Sequence, residues 1–146
     1  MSATAYAINP TVNDVVTAQK IKAAQRLRAL PKYFGVKHMM KAESAIFDAL
    51  ESMSVDYNGG YWEFYELSNG GFYMAPVSPK EFKLVCSGNY FSGTLSADAA
   101  GIVASLFAIN GLIWTTQEER FTDLFHTLRD FASHHPEAGL ILSAID

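Results

Sequence analysis

Four histidines are the side chains of this sequence best suited to bind a metal ion or to transfer a proton near neutral pH. They are His38, His126, His134 and His135. His126 and His134 are eight residues apart, a spacing that would place both on one face of a helix, two turns apart. A zinc site needs three or four converging ligands, and no third ligand has a matching spacing. The sequence therefore predicts no metal site.

The single cysteine and the paired carboxylates do not supply a catalytic set either. Cys86 falls on the apolar face of a predicted strand, where a thiol is buried and unreactive. Glu63 and Glu66 belong to another predicted strand and, being three residues apart, point to opposite faces, which is wrong for a general acid and base pair. The sequence contains no phosphate-binding loop, nucleophile elbow or metalloprotease motif. We expect no catalytic residue, no cofactor and no enzymatic activity.

The most unusual stretch is residues 56–76, which is dense in tyrosine, tryptophan and phenylalanine. Such rings are enriched at protein-binding surfaces because they are rigid and cover a large contact area at low entropic cost. The alternative is that they form a core on both faces of a hairpin, with only their polar tips reaching water. For the first interpretation we select the following candidate protein-interaction residues: Asp56, Asn58, Tyr61, Trp62, Glu63 and Glu66.

Charge is distributed unevenly along the 146 residues, whose net charge is −4. Residues 1–41 contain seven basic groups and one acid, whereas residues 42–79 contain six acids and no base. The basic third could bind nucleic acid through Lys20, Lys22, Arg26, Arg28, Lys32, Lys37 and Lys41. In the simpler interpretation the basic and acidic thirds pack beside each other. The overall acidity favours the second interpretation.

The first half of the chain predicts two helices. Thr11 and Asp14 resemble a capping box for a helix that continues to Leu30, and Pro31 should end that helix. Residues 31–35 are predicted to form a turn. Apolar residues then recur at helical spacing from about Lys37 to Met53.

Two hairpins should follow. An Asn69-Gly70 type I′ turn would pair Leu67 with Phe72, and a Gly88-Asn89 turn would pair Cys86 with Phe91. The second hairpin alternates between apolar and polar residues, as in a sheet with one dry and one wet side.

Three helices are predicted after the hairpins. Ser96 is a good N-cap for an apolar, central helix over about 97–114. Thr116 and Glu119 form a capping box for the next helix, which carries one apolar stripe. Pro136 should open a short last helix.

These elements predict an α+β fold with helices segregated from the sheet. We expect one domain over residues 1–146, in which a four-stranded antiparallel sheet made of two hairpins packs against about five helices. Met1–Pro10 lacks the features of a secretory signal, and the longest apolar stretch falls short of the ~20 residues of a spanning helix. A cytoplasmic protein that does not enter a membrane is expected.

Four segments resemble one known family. The segment Tyr57–Pro76, YNGGYWEFYELSNGGFYMAP, closely resembles the signature of the ArdB/KlcA antirestriction proteins. Three further segments agree in the same order: PKYFG at 31–35, SGTLSADAAGIVASLFA at 92–108 and HPEAGLILSAID at 135–146. A motif of 20 residues with three ordered companions makes this resemblance specific.

The resemblance implies a function and a partner. Proteins of this family are small, are carried by plasmids and other mobile elements, and relieve type I restriction so that incoming plasmid or phage DNA survives. Their known fold is a compact α+β domain, and the family is not regarded as enzymatic, so the resemblance supplies no catalytic residues. The implied partner is the type I restriction enzyme or an associated host factor.

The charge content constrains the mechanism. DNA presents about one charge per 1.7 Å of its axis, whereas this chain has 15 acids diluted by 11 bases. Such a surface cannot imitate a long duplex. We therefore expect a protein that is not a DNA mimic, that forms no stable complex with DNA, and that acts through contact with another protein.

Overall fold

A computed structural model of the protein describes residues 15–146. Within this range, five strands and four α-helices follow one another, with one turn of 3₁₀-helix, Ala23–Gln25, before the first α-helix. The strands are β1 (Ala18–Lys20), β2 (Trp62–Leu67), β3 (Phe72–Pro76), β4 (Glu81–Cys86) and β5 (Phe91–Ser96). The helices are α1 (Arg26–Met53), α2 (Ala97–Thr116), α3 (Glu119–Ala132) and α4 (Ala138–Ile145). The predicted α+β class is confirmed.

The predicted helix over 11–30 is wrong for Ala18–Lys20 and confirmed for residues 26–30, which belong to α1, and its proposed cap at Thr11 and Asp14 lies outside the described residues. Ala18–Lys20 forms a strand that pairs antiparallel with β2. The Ile21 N–H extends this ladder by donating to the carbonyl of Phe64 at 2.8 Å. Pairing with β2 outweighs the local helix propensity of this segment, because propensity is a weak preference that tertiary contacts override.

Helix α1 does not end at Pro31, contrary to the sequence prediction. Pro31 lies inside it, and the helix instead kinks at Gly35, whose φ of 79° and ψ of 154° are not helical. Such a positive φ is readily adopted only by glycine. Proline leaves the carbonyl of Leu27 without its helical partner, and Leu27 is exposed, so water can satisfy that carbonyl. The predicted helix over 37–53 is confirmed.

The register of the first hairpin differs by one residue from the prediction. Glu66, not Leu67, pairs with Phe72. The loop has three residues, 68–70, because the Leu67 N–H donates to the carbonyl of Gly71 at 2.9 Å and Gly70 adopts a φ of 90°. Neighbouring residues of a strand point to opposite faces. A slip of one residue therefore changes which β3 residues share a face with which β2 residues.

The second hairpin has the predicted register. Cys86 pairs with Phe91 and Leu84 pairs with Gly93. Its predicted dry and wet sides are also present, because buried and exposed residues alternate along β4. The two hairpins do not join, however: β1, β2 and β3 form one sheet, and β4 and β5 form another. The single four-stranded sheet was therefore wrong.

Helix α2 is the centre of the fold, as predicted. Eleven of its 20 residues are buried, and it contacts α1, α3, α4, β3, β4 and β5. The predicted cap forms, since the Ser96 hydroxyl accepts from the N–H of Ala99 at 3.1 Å. The helix is long and apolar enough to cross a membrane, but its packing inside the fold accounts for that composition.

The last two helices start near the predicted positions. The capping box of Thr116 and Glu119 does not form: Thr116 ends α2 by donating to the carbonyl of Leu112 at 2.7 Å, and Glu118 occupies the N-cap of α3. The predicted apolar stripe of α3 is buried. Helix α4 begins at Ala138, two residues after Pro136, which lies in the preceding turn.

Candidate interaction surface

The six residues predicted for an interaction surface lie on two adjoining segments. The connection between α1 and β2 holds Asp56, Asn58 and Tyr61, and β2 holds Trp62, Glu63 and Glu66. Because side chains alternate along a strand, the three residues of β2 cannot all face the same way. The structure therefore divides the predicted surface into parts with different surroundings.

Trp62 belongs to the core. Only 3% of it is exposed, its indole N–H donates to the hydroxyl of Tyr57 at 3.2 Å, and its ring lies 5.1 Å from that of Phe47. A side chain in this position cannot contact a partner, so its selection as a surface residue is corrected. Its burial supports the alternative that most rings of residues 56–76 form a core.

Tyr61 is the exposed ring of this region, and a charge cluster surrounds it. The tyrosine is 58% exposed, and its ring lies 4.7 Å from the guanidinium carbon of Arg26. The same guanidinium carbon lies 4.1 Å from the centroid of the Phe64 ring. Glu63 completes the cluster, with carboxylate oxygens 3.5 Å from Arg26 Nη1 and 3.7 Å from Lys20 Nζ. Arg26 is thus held by two rings and one carboxylate.

Glu66 lies in a second cluster. Its Oε2 accepts from the Tyr33 hydroxyl at 3.3 Å and is 3.8 Å from Lys32 Nζ. Burial, together with the charge of Glu66 and this hydrogen bond, raises the pKa of Tyr33 to about 12. The phenol ring stacks on Phe72 with 4.8 Å between centroids. Glu66 therefore helps to anchor α1 on the first sheet.

Tyr33 makes stability depend on alkaline pH. Because its folded-state pKa lies above the value of 10 expected in the unfolded chain, its contribution is fully present below pH 10 and is lost between about pH 10 and 12. We expect Tyr33→Phe to reduce the drop in melting temperature between pH 8 and pH 11. Tyr90→Phe, which alters a ring 93% exposed, serves as the control and should keep the wild-type drop. An equal drop in both variants would contradict this assignment.

Asp56 and Asn58 have different environments. The Asp56 carboxylate accepts from the backbone N–H of Lys83 at 2.9 Å, which ties the α1–β2 connection to β4. Asn58 is exposed and is followed by Gly59 and Gly60, both at positive φ. Asp56 thus has a structural task, whereas Asn58 and Tyr61 are free to meet a partner.

The ion pairs also settle how the basic and acidic thirds of the chain are arranged. Lys20, Arg26 and Lys32 from the basic third each pair with Glu63 or Glu66 from the acidic third. The interpretation that the two thirds pack beside each other is therefore confirmed for these residues. Pairs as exposed as Lys20–Glu63 and Lys32–Glu66 contribute little to stability, but all three pairs reduce the uncompensated charge on this side of the molecule.

A partly buried hydrogen-bond network links β3 to α2 and to the turn before α4, and it was not predicted from the sequence. Asp98 accepts from the Tyr73 hydroxyl at 2.7 Å and lies 2.9 Å from His135 Nε2. The Glu137 N–H donates to His135 Nδ1 at 3.0 Å, so the proton of a neutral imidazole is on Nε2 and points at Asp98. Burial and the Asp98 carboxylate raise the pKa of Tyr73. Local sequence patterns do not reveal this network, because Tyr73 and His135 are 25 and 37 residues away from Asp98 along the chain.

Cys86 and His38 are largely buried, whereas His126 and His134 are exposed. Burial raises the pKa of the Cys86 thiol, whose sulfur lies 3.5 Å from that of Met53. His38 is paired with Glu118 at 2.7 Å. Among residues 15–146, no group of three or more histidine, cysteine or acidic side chains could hold a metal ion.

Comparison with known proteins identifies relatives across nearly the whole chain. A protein-family model described as Antirestriction protein matches residues 55–146. Two curated relatives from Escherichia coli, each named Antirestriction protein KlcA, are similar to this chain. The first is 46% identical over 140 residues, covering 93% of this chain and 99% of the relative. The second is 45% identical over 137 residues, covering 90% and 94%.

A solved structure has the same fold. It is 47% identical to this chain, with a TM-score of 0.83, and the match covers 90% of this chain and 95% of that one. That work describes KlcA and ArdB proteins with a novel fold and with antirestriction activity against Type I DNA restriction systems in vivo but not in vitro.

Proposed function

The chain belongs to the ArdB/KlcA antirestriction family, and from that premise we propose that it relieves type I restriction in the cytoplasm by binding a protein, without catalysis and without imitating DNA. The partner is the type I restriction enzyme or a host factor associated with it. Incoming plasmid or phage DNA then survives in a host that would otherwise cleave it.

The proposed mechanism depends on one observation: Glu63 and Glu66 of the candidate surface are already paired with basic side chains. Glu63 lies between two bases, Lys20 and Arg26, and Glu66 is beside Lys32. A DNA mimic needs rows of uncompensated carboxylates at the spacing of phosphates. Acids that are already paired within the chain cannot present such rows, which supports contact through shape and aromatic area instead.

The behaviour of the relatives supports a partner in the cell. KlcA and ArdB were active against type I systems in vivo but not in vitro. If this chain shares that behaviour, the purified enzyme alone lacks something that the inhibitor requires. An associated host factor, or a state of the enzyme reached only in the cell, would meet that requirement.

Tyr61 and Asn58 are the residues of the original selection that remain accessible for such a contact. The exposed Tyr61 ring is already held against Arg26, so binding a partner costs little additional side-chain conformational entropy. We expect Tyr61→Ala to reduce relief of restriction at least about tenfold, as for a residue central to an interface. Efficiency of plating of unmodified phage on a type I restricting host, with protein levels matched by immunoblotting, measures this effect.

Tyr90→Ala is the matched control, because Tyr90 is also an exposed tyrosine but lies at the tip of the other hairpin. It should relieve restriction as the wild-type chain does. Melting temperatures of both variants must stay near wild type, so that misfolding is excluded. If Tyr61→Ala folds and relieves restriction fully, this surface is not the contact site.

A competition experiment tests the rest of the proposal. Purified chain should not displace duplex DNA from a purified type I enzyme, and it should bind duplex DNA weakly at physiological salt. Efficient displacement would establish DNA mimicry and overturn the proposed mechanism. Binding that falls steeply with salt would favour the nucleic-acid-binding alternative, which the pairing of Lys20, Arg26 and Lys32 weakens.

A further inference from the structure

A shallow apolar groove runs between α1 and α2 and is separate from the surface around Tyr61. Three adjoining cavities, of about 490, 340 and 130 Å³, share Phe107 in their walls. We call this feature the Phe107 groove. Its apolar lining includes three alanines, Ala45, Ala49 and Ala108, and three larger side chains, Met53, Phe107 and Ile145. Small residues allow another helix to approach closely.

Two opposite charges on α1 border the groove. Lys41 lies beside Gly111 and Thr115 of α2, and Asp48 follows it by seven residues along the same wall. Seven residues are two helical turns, or about 10 Å. Neither side chain forms an ion pair with any residue of 15–146. The wall therefore presents a positive end and a negative end, each without a partner.

A second copy of this chain has a negative and a positive side chain at the same seven-residue spacing, so it can pair with both charges. In an antiparallel pairing about a two-fold axis, each contact occurs twice, so Lys41 of one copy meets Asp48 of the other and the reverse. The axis then passes near Ser44 and Ala45, midway between the two charges, where small side chains permit the two α1 helices to touch.

An exposed tryptophan at one end of the groove supplies an anchor. Trp114 is 75% exposed and lies on α2 one turn beyond Gly111, at the Lys41 end. The same two-fold pairing brings it to the opposite end of the second copy. There the cavity of about 490 Å³, lined by Ala49, Met53 and Phe107, is open to receive an indole ring. A large ring entering a pocket near charged pairs is typical of an interface hot spot.

We propose that two copies of this chain associate through the Phe107 groove, with Lys41 paired to Asp48 across a two-fold axis and Trp114 seated in the opposite copy. The inference is independent of the proposed function, because it concerns a face other than that of Tyr61. A foreign helix would need the same spacing of opposite charges, whereas this chain contains it.

Charge reversal on the full-length chain tests the pairing. In sedimentation equilibrium over a wide concentration range, the wild-type protein should form dimers. Lys41→Asp and Asp48→Lys should each weaken dimerisation by at least about tenfold, because each places like charges together at both contacts. Trp114→Ala should have a similar effect. Lys80→Asp, which reverses an exposed charge away from the groove, should dimerise as the wild type does.

Mixing the two reversed variants provides the decisive measurement. A heterodimer of Lys41→Asp with Asp48→Lys contains two complementary pairs, so the mixture should dimerise although neither variant does so alone. The inference is overturned if the wild-type chain remains monomeric throughout, if the single reversals leave dimerisation unchanged, or if the mixture of two monomeric variants stays monomeric.

Discussion

Gly101→Ala is expected to lower the free energy of unfolding by about 3 kcal/mol, near the upper end for overpacking in a well-packed core. A Cβ at this position of α2 would lie 2.4 Å from the Cα of Ala75 and 2.5 Å from the carbonyl oxygen of Met74. Both atoms belong to the backbone of β3, so the helix itself would have to move away from the sheet. Urea denaturation of the purified variant measures the loss.

Gly111→Ala is the matched control for that prediction. Gly111 is in the same helix, but a Cβ there would meet no atom within 4 Å. Alanine is favoured over glycine in a helix by roughly 1 kcal/mol, so this variant should be as stable as the wild type or more so. If Gly101→Ala proved as stable as Gly111→Ala, the close packing of α2 on β3 would be contradicted.

Phe72→Ala is expected to destabilise the protein by about 3–5 kcal/mol, the usual result of truncating a buried aromatic ring. Phe72 is completely buried. Its ring contacts three others: that of Tyr33 at 4.8 Å and those of Phe34 and Phe64 at 5.7 Å each. The substitution would leave a cavity between α1 and the first sheet, and thermal and urea denaturation should both show the loss.

Phe72→Leu should cost markedly less than Phe72→Ala, because most of the buried volume is retained. Alanine at the exposed Tyr90 should change stability by no more than about 0.5 kcal/mol. A Phe72→Ala protein as stable as the wild type would show that α1 does not pack on this ring. If Phe72→Ala is destabilised as expected, loss of restriction relief in that variant reflects a lower amount of folded protein and not a lost contact with the partner.

The prediction of the fold from sequence was reliable for the second hairpin and for the start of α2. The β4–β5 hairpin alternates so regularly that only one register buries Phe82, Leu84 and Cys86 together, and that register is observed. Ser96 specified the start of α2 because its hydroxyl bonds within the same turn. The motif over 57–76 was sufficient to identify the family, since it is long and local.

The first hairpin shows why such local reasoning fails elsewhere. Both of its faces are apolar, so hydrophobic alternation could not select the register. The loop instead has three residues, and the Asn69 side chain bonds both to the N–H of Gly71 and to the carbonyl of Thr127 in α3. The observed turn thus includes a contact with a helix nearly 60 residues away along the chain. The sequence of the hairpin alone does not indicate that contact.

The sequence by itself determined the α+β class, the apolar central helix, the second hairpin and membership of the family, because helical and strand periodicity and caps act over a few residues. Only the tertiary structure decided that Ala18–Lys20 is a strand, that Trp62 is buried while Tyr61 is exposed, and that Glu63 and Glu66 are neutralised by bases from another third of the chain. These outcomes depend on which distant segments pack together, and such packing produces no periodic pattern in the sequence of the segments involved.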